Sequence, residues 1–136
     1  MIVTARLAFS AAHRLYNPER DNDWNERIYG KDANPAGHGH NYVLQVSVKG
    51  PIDPESGMVI DLKRLKDIMR ERVIDHVDHV HLNEDVGFLR GVIPTAENIA
   101  RAFWQQIAPA LDRGELYEIV LEETPKNSVE YRGEEE

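Results

Sequence analysis

Two stretches of the chain alternate with the period of a strand. From 3 to 13, Val3, Ala5, Leu7, Phe9, Ala11 and His13 share one parity, while Thr4, Arg6 and Ser10 take the other. That is the pattern of a strand with one buried face. From 38 to 49, His38, His40, Tyr42, Leu44, Val46 and Val48 share a face; Gly39, Asn41, Gln45, Ser47 and Lys49 take the other, with Val43 the exception. Between the two, residues 14–37 carry Asn17-Pro18, Asn34-Pro35 and Gly37 and read as one long loop. Loops of that length in compact domains often carry function.

The period then changes. After the turn signals Gly50-Pro51 and Asp53-Pro54-Glu55-Ser56-Gly57, Asp61 is placed to cap a helix with Leu62, Leu65, Met69 and Val73 on one stripe. A polar, His-rich stretch runs from Asp75 to Asp85. Pro94-Thr95 opens a second helix with Ile99, Phe103, Ile107 and Leu111 aligned. Residues 116–123 and 128–132 read as closing strands, with Lys126-Asn127 as the hairpin turn. The order strand, strand, helix, helix, strand, strand predicts an α+β fold with an antiparallel sheet and both helices on one face. No repeat or linker is visible, so residues 1–133 are expected to form a single domain, with 134–136 as an acidic tail.

Bulk properties narrow the function. A chain of 136 residues suits one domain and is too short for a (β/α)8 barrel of about 250 residues. The net charge of −8 argues against a nucleic-acid partner. It leaves room for a local basic pocket that takes a phosphorylated small molecule. The absence of cysteine excludes disulfides, Cys-ligated zinc and a thiol nucleophile. No apolar run approaches the roughly 18 residues of a membrane span, and no basic-then-apolar leader opens the chain, so the expected location is the cytoplasm.

Candidate chemistry gathers at a few places. Side chains at i and i+2 of a strand point the same way, about 6.5–7 Å apart along it. His38 and His40 can therefore grip one ion, and His13, in phase with the apolar face of its own strand, can reach it from a neighbouring strand. Three neutral imidazoles leave one tetrahedral zinc position open, as in catalytic sites; isolated histidines are the competing reading. Gly37 and Gly39 remove bulk around them. In Asp75-His76-Val77-Asp78-His79-Val80-His81, a carboxylate beside an imidazole suits acid–base work; a second metal or a polar surface loop are the alternatives. Thr95 is a natural helix N-cap and Glu97 suits the helix dipole, and spacing alone gives them no further role. Glu123 shares parity with Tyr117, Ile119 and Leu121, where a carboxylate is costly unless paired or holding a ligand. It is thus a better binding candidate than Glu122, with strand-end exposure as the alternative.

Phe9-Ser10-Ala11-Ala12-His13-Arg14-Leu15, Gly37-His38-Gly39-His40-Asn41-Tyr42, Val77-Asp78-His79, Pro94-Thr95-Ala96-Glu97-Asn98 and Glu123-Thr124 occur together in this order. The set resembles the 6-pyruvoyltetrahydropterin synthase family, which includes the 6-carboxytetrahydropterin synthases of queuosine biosynthesis, from about residue 3 to residue 133. The resemblance implies the tunnelling fold: a four-stranded antiparallel sheet with two helices, joined into homotrimeric barrels that often stack as homohexamers with active sites between subunits. It implies Zn2+ on His13, His38 and His40. It implies Asp78 and His79 as an acid–base pair that reaches a neighbouring subunit's zinc. Glu123 would grip the amino-pyrimidine edge of a pterin, with Thr95 and Glu97 on the substrate side. The implied reaction is a redox-neutral carbon–oxygen lyase step. In it 7,8-dihydroneopterin triphosphate loses triphosphate and its side chain tautomerises to a 6-pyruvoyl- or 6-carboxy-tetrahydropterin, as in tetrahydrobiopterin or queuosine biosynthesis.

One position departs from the family. The family's base is usually a cysteine six residues before the first histidine of His-Gly-His, and here that position is Asp32. A carboxylate is a weaker base than a thiolate by roughly four pK units. Some members carry Glu there and cleave the side chain to 6-hydroxymethyl-dihydropterin for folate synthesis, so Asp32 bears on the product. A pterin- or zinc-binding protein without turnover is the reading from another class, and the pair Asp78 and His79 weighs against it.

Overall fold

The two alternating stretches become the central pair of one sheet. β1 (Ile2–His13) and β2 (His38–Lys49) run antiparallel, with Ile2 opposite Lys49 and His13 opposite His38. Paired residues share a face. Ala5, Phe9 and Ala11 therefore lie on the same side as Tyr42, Leu44 and Val46, and all six are buried. The computed structural model describes residues 1–134; Glu135 and Glu136 of the expected acidic tail lie outside the described residues.

Helices cover that buried face. Asp61 caps α2 (Leu62–Met69) as expected, its side chain accepting from the Lys63 N–H. The helix runs on through a π turn (Arg70–Ile74) into a last turn, α3 (Asp75–Val77). Thr95 caps α4 (Ala96–Ile107). Leu65, Met69, Val73, Val77, Ile99 and Phe103 meet the sheet in one core, where Phe9 stacks on Tyr42 at 4.7 Å and meets Phe103 edge-on at 5.9 Å. No helix among the described residues is long and apolar enough to cross a membrane.

Several expectations need correction. The sheet is not four-stranded and antiparallel but five-stranded and mixed, in the order β3-β1-β2-β4-β5. The added strand β3 (Val80–His81) lies parallel to β1, with Val80 beside Ala11 and His81 beside Ala12. Two residues are too few to show a period, so the stretch reads as a loop. The closing strands are β4 (Glu115–Thr124) and β5 (Asn127–Tyr131). Their turn sits one residue earlier than expected, at Pro125-Lys126, because the Thr124 hydroxyl accepts from the N–H groups of Lys126 and Asn127. Leu111 falls outside α4, which tightens into a 3-10 turn (Ala108–Ala110) at Pro109, a residue without an N–H to continue the helix.

The loop 14–37 also contains structure: α1 (Asn22–Tyr29) and a 3-10 turn (Gly30–Ala33). The one buried residue of α1 is polar, which is why no apolar stripe announces it. Asn25 accepts from the Asn17 N–H at 2.7 Å and donates to the carbonyls of Asn17, Arg20 and Asp21. One side chain thus closes the entire turn. Replacing Asn25 with leucine leaves those backbone groups unpaired, and a loss of about 2–4 kcal/mol is expected by urea denaturation. An unchanged midpoint would show that water replaces the amide without cost.

Candidate functional site

The face that builds the core ends in imidazoles. His13 and His38 are paired across the ladder and His40 follows two residues along, so the three rings cluster where the apolar row stops. Their centroids form a nearly equilateral triangle of 4.6, 4.9 and 5.1 Å, and one nitrogen from each lies within 4.8 Å of the others. This is the one such gathering of three or more His or carboxylate groups among the described residues. It does not extend to the Asp75–His81 string, so the second-metal reading gains nothing: His76 turns its Nε2 to the Glu71 carbonyl at 2.9 Å.

A backbone atom orients the first ring. His13 is 1% exposed, and its Nδ1 lies 2.8 Å from the carbonyl of Pro94. A carbonyl only accepts, so Nδ1 carries the proton and Nε2 presents a lone pair. That Nε2 and the Nε2 of His40 are buried without a hydrogen-bond partner. Unpaired buried nitrogens are costly, and a divalent cation is what three converging lone pairs suit. Burial lowers the His13 pKa from 6.5 to about 4; His38 and His40 push the same way, and the Pro94 carbonyl and Asp32 oppose. The ring therefore stays neutral, as a ligand must.

Two carboxylates flank the triad. Glu123 Oε1 is 3.9 Å from His40 Nε2, and Asp32 Oδ1 is 3.7 Å from His38 Nε2, both too long for hydrogen bonds. Glu122 pairs with Val43 on the opposite face, so Glu123 shares the face of Ile119 and Leu121; a bulge between Ser47 and Val48 takes Tyr117 out of that parity, and Leu116 packs on the core instead. Burial, aided by the Glu123 charge, raises the Tyr42 pKa, and its hydroxyl stays protonated beneath His13. The 3-10 turn brings Asp32 here, anchored where the Leu15 N–H donates to the Asp32 carbonyl at 2.9 Å. Thr95 spends its hydroxyl on the Asn98 N–H, and Glu97 is exposed on the first turn of α4. The contribution of their segment to the triad is the Pro94 carbonyl, a backbone role with no side-chain signal.

Asp78 and His79 stand at the outer edge of β1, on the backbone of Ser10. Asp78 Oδ1 accepts from the Ser10 N–H at 2.9 Å and lies 2.8 Å from His79 Nδ1. The Ser10 N–H, then His79, hold the Asp78 carboxyl below its ordinary range. His79 has a φ of 62°, the one non-glycine residue with positive φ among those described, and its side chain is 80% exposed. It lines a hollow with Ser10, Gly39 and Asn41, and with His40 of the triad. The pair is built, and no hydrogen bond or ion pair joins it to its own chain's triad among the described residues.

Sequence reading missed two supports. Asn83 donates to the Arg14 carbonyl and accepts from the Arg14 N–H, both at 2.8 Å, and so imitates a strand residue beside the end of β1. At Gly37 (φ 74°) a Cβ would come within 2.9 Å of His81 Nε2 and 3.0 Å of the His13 carbonyl, so only glycine fits. Gly39 is different: a Cβ there would meet nothing closer than 3.5 Å, and the expectation that it clears space for the triad is not met.

A fold with this sheet and a three-histidine lip above its core is that of a known enzyme class. Residues 2–134 match the 6-pyruvoyl tetrahydropterin synthase family, and the chain belongs to that family of lyases. It is 44% identical over 134 residues to the 6-pyruvoyl tetrahydrobiopterin synthase of Dictyostelium discoideum, covering 98% of this chain and 97% of that one. The solved structure of Caenorhabditis elegans 6-pyruvoyl tetrahydropterin synthase superposes with a TM-score of 0.90 at 42% identity, over 98% of this chain and 97% of that chain. Similarity to the 6-carboxy-5,6,7,8-tetrahydropterin synthase of Rickettsia bellii is lower, 30% over 146 residues, covering 93% and 96%.

The lowered His13 pKa sets a pH dependence. The folded state keeps the ring neutral, whereas the unfolded chain protonates it near 6.5. Stability is therefore full above pH 6.5 and drains as pH falls toward about 4. The total is on the order of 3 kcal/mol. Urea denaturation of chelator-treated protein at pH 7 and pH 4.5 should show the loss, and His13→Gln should flatten it. An equal slope in both proteins would assign the dependence to other groups.

Proposed function

We propose that this chain is a zinc-dependent lyase that eliminates triphosphate from 7,8-dihydroneopterin triphosphate to give 6-pyruvoyl-tetrahydropterin, in the cytoplasmic synthesis of tetrahydrobiopterin. The observation that carries it is the triad with two buried, unpartnered Nε2 atoms, set between the carboxylates of Glu123 and Asp32. The higher identity to a 6-pyruvoyl enzyme (44%) than to a 6-carboxy enzyme (30%) favours the pyruvoyl product over a queuosine precursor.

In this reading His13, His38 and His40 hold Zn2+. The ion supplies Lewis-acid polarisation of the side-chain oxygens, which acidifies the neighbouring C–H bonds. Glu123 accepts two N–H donors from the amino-pyrimidine edge and fixes the ring. Thr95 and Glu97 stand on the substrate side. Asp32 takes a side-chain proton from its place beside His38. Asp78 holds the Nδ1–H of His79, which leaves His79 Nε2 free to move a proton at a neighbouring subunit's site. The placement of this pair at the sheet edge, with no bond to its own chain's triad, supports an active site between subunits. Two unlike sheet edges support ring closure: the outer side of β1 before Ser10 and the outer side of β5 are unpaired among the described residues. Joined head to tail, unlike edges close a ring, here a homotrimer or a stacked homohexamer.

Asp32 itself favours a second product. A carboxylate in place of a thiol suits the cleavage that gives 6-hydroxymethyl-dihydropterin. Mass analysis of the product from 7,8-dihydroneopterin triphosphate separates the two outcomes. About one zinc per chain is expected, lost with activity in His38→Ala. Asp32→Ala should keep zinc and lower kcat by about 10²–10⁴, and Asp32→Cys should raise the pyruvoyl yield. A zinc-loaded parent that binds the pterin and turns over nothing would leave a binding protein.

Shared sites make a separate demand. His38→Ala and His79→Ala subunits, each inactive alone, should regain part of the parent activity when unfolded and refolded together. No recovery from verified mixed oligomers would put the acid–base pair elsewhere.

A further inference from the structure

β1 and β4 run one way, β2 and β5 the other. A rotation about an axis along the strands keeps those directions, so in a ring β5 of one copy meets β1 of the next antiparallel. The backbone sets the phase, because outward-facing residues alternate along an edge strand. On β1 the backbone groups of Ser10 and Ala12 turn outward, to Asp78, His79 and Leu82. Thr4, Arg6 and Ala8 are therefore the free ones. Followed through the ladder, the same alternation leaves Ser128 and Glu130 outward on β5. Even positions meet even positions, and the seam can slip only in steps of two.

Within the chain there is no slip. Arg6 faces Gln45, Gln45 faces Val120 and Val120 faces Glu130, in one straight row across four strands. Strands closed into a ring must tilt and stagger, so the stagger falls at the seam. Slippage toward His13 is blocked, because Asp78 and β3 already occupy the outward groups of Ser10 and Ala12. Slippage toward Ile2 by two sets Glu130 opposite Thr4 and Ser128 opposite Arg6. Arg6 and Glu130 then become diagonal neighbours on the face away from the helices, within reach of long side chains. Both are exposed, and neither side chain has a hydrogen bond or ion pair among the described residues. Arg132, the nearest cation along β5, is spent on Glu118 at 2.8 Å. A slip of four would instead face Arg6 with Lys126, two like charges. A slip of two also levels the site. The row of Ala12 and Gly39, in the middle of one copy's triad, comes to the height of Ser10 in the next copy, where Asp78 and His79 are held.

We infer that copies of this chain join through an antiparallel seam of β5 to β1, slipped by two residues, with Glu130 of one copy paired to Arg6 of the next. The seam rests on the ring proposed above; the slip and the ion pair rest on the two edges alone. The slip is what brings the acid–base pair of one copy to the triad of its neighbour.

The chain has no cysteine, so paired cysteines report the register without background. Opposed residues of antiparallel strands lie about 4.5–5.5 Å apart, inside the span of a disulfide. In oxidised protein, Val129→Cys with Ala5→Cys should close covalent rings. With Val3→Cys or Leu7→Cys, the partners at slips of four and zero, closure should be at least about tenfold slower. By sedimentation at low salt, Arg6→Glu and Glu130→Arg should each raise the concentration at which rings fall apart about tenfold, and the two together should return it to within about threefold of the parent. That return excludes misfolding of the single variants as the cause. Faster closure through Val3 or Leu7 would overturn the slip, and a combined variant no better than either alone would overturn the ion pair. A parent that stays monomeric overturns the ring and the seam with it. No substrate enters these measurements, so a ring that forms this seam and turns over no pterin counts against the lyase alone.

Discussion

Twelve consecutive pairs join β1 to β2, and the last of them sets His13 beside His38. A slip of one residue would send every side chain of a strand to the other face. Phe9 would leave Tyr42, and His13 would leave the other imidazoles. The register that builds the core is therefore the register that builds the triad, and the Phe9–Tyr42 stack defends both. The site lies where the hydrophobic row ends and polar rings take over the same positions. Core packing and site geometry share one constraint.

What could be read from the sequence follows from this. Alternation placed β1 and β2 almost to the residue, and it placed His13, His38 and His40 on a shared face and Glu123 rather than Glu122 beside them. Helix caps at Asp61 and Thr95 were legible because capping is a local side-chain event. The rest depended on atoms or lengths that carry no period. The Pro94 carbonyl that orients His13 is backbone. β3 is two residues long. α1 is organised around Asn25, and a polar centre leaves no hydrophobic signature. Asp32 was located by its resemblance to a family position, and its closeness to His38 is a product of the 3-10 turn.

The charges divide between the triad and the edge of β1. At the triad, burial keeps His13 neutral while two carboxylates wait at non-bonding distance. At the edge, a backbone N–H steadies the charge of Asp78, and His79 is left in solvent. Desolvation governs the first environment and hydrogen bonding the second. His13 is thus set by burial, and the Asp78–His79 pair by backbone contact at a solvent-exposed edge.

The π turn at Arg70–Ile74 carries one residue more than a regular turn would need, three residues before the segment that leads to Asp78 is complete. Each helical residue advances the chain by about 100°. Without the extra residue, a regular helix would form and the exit toward β3 would be rotated by that amount. A one-codon deletion here would then leave a more regular helix and turn Asp78 and His79 away from Ser10.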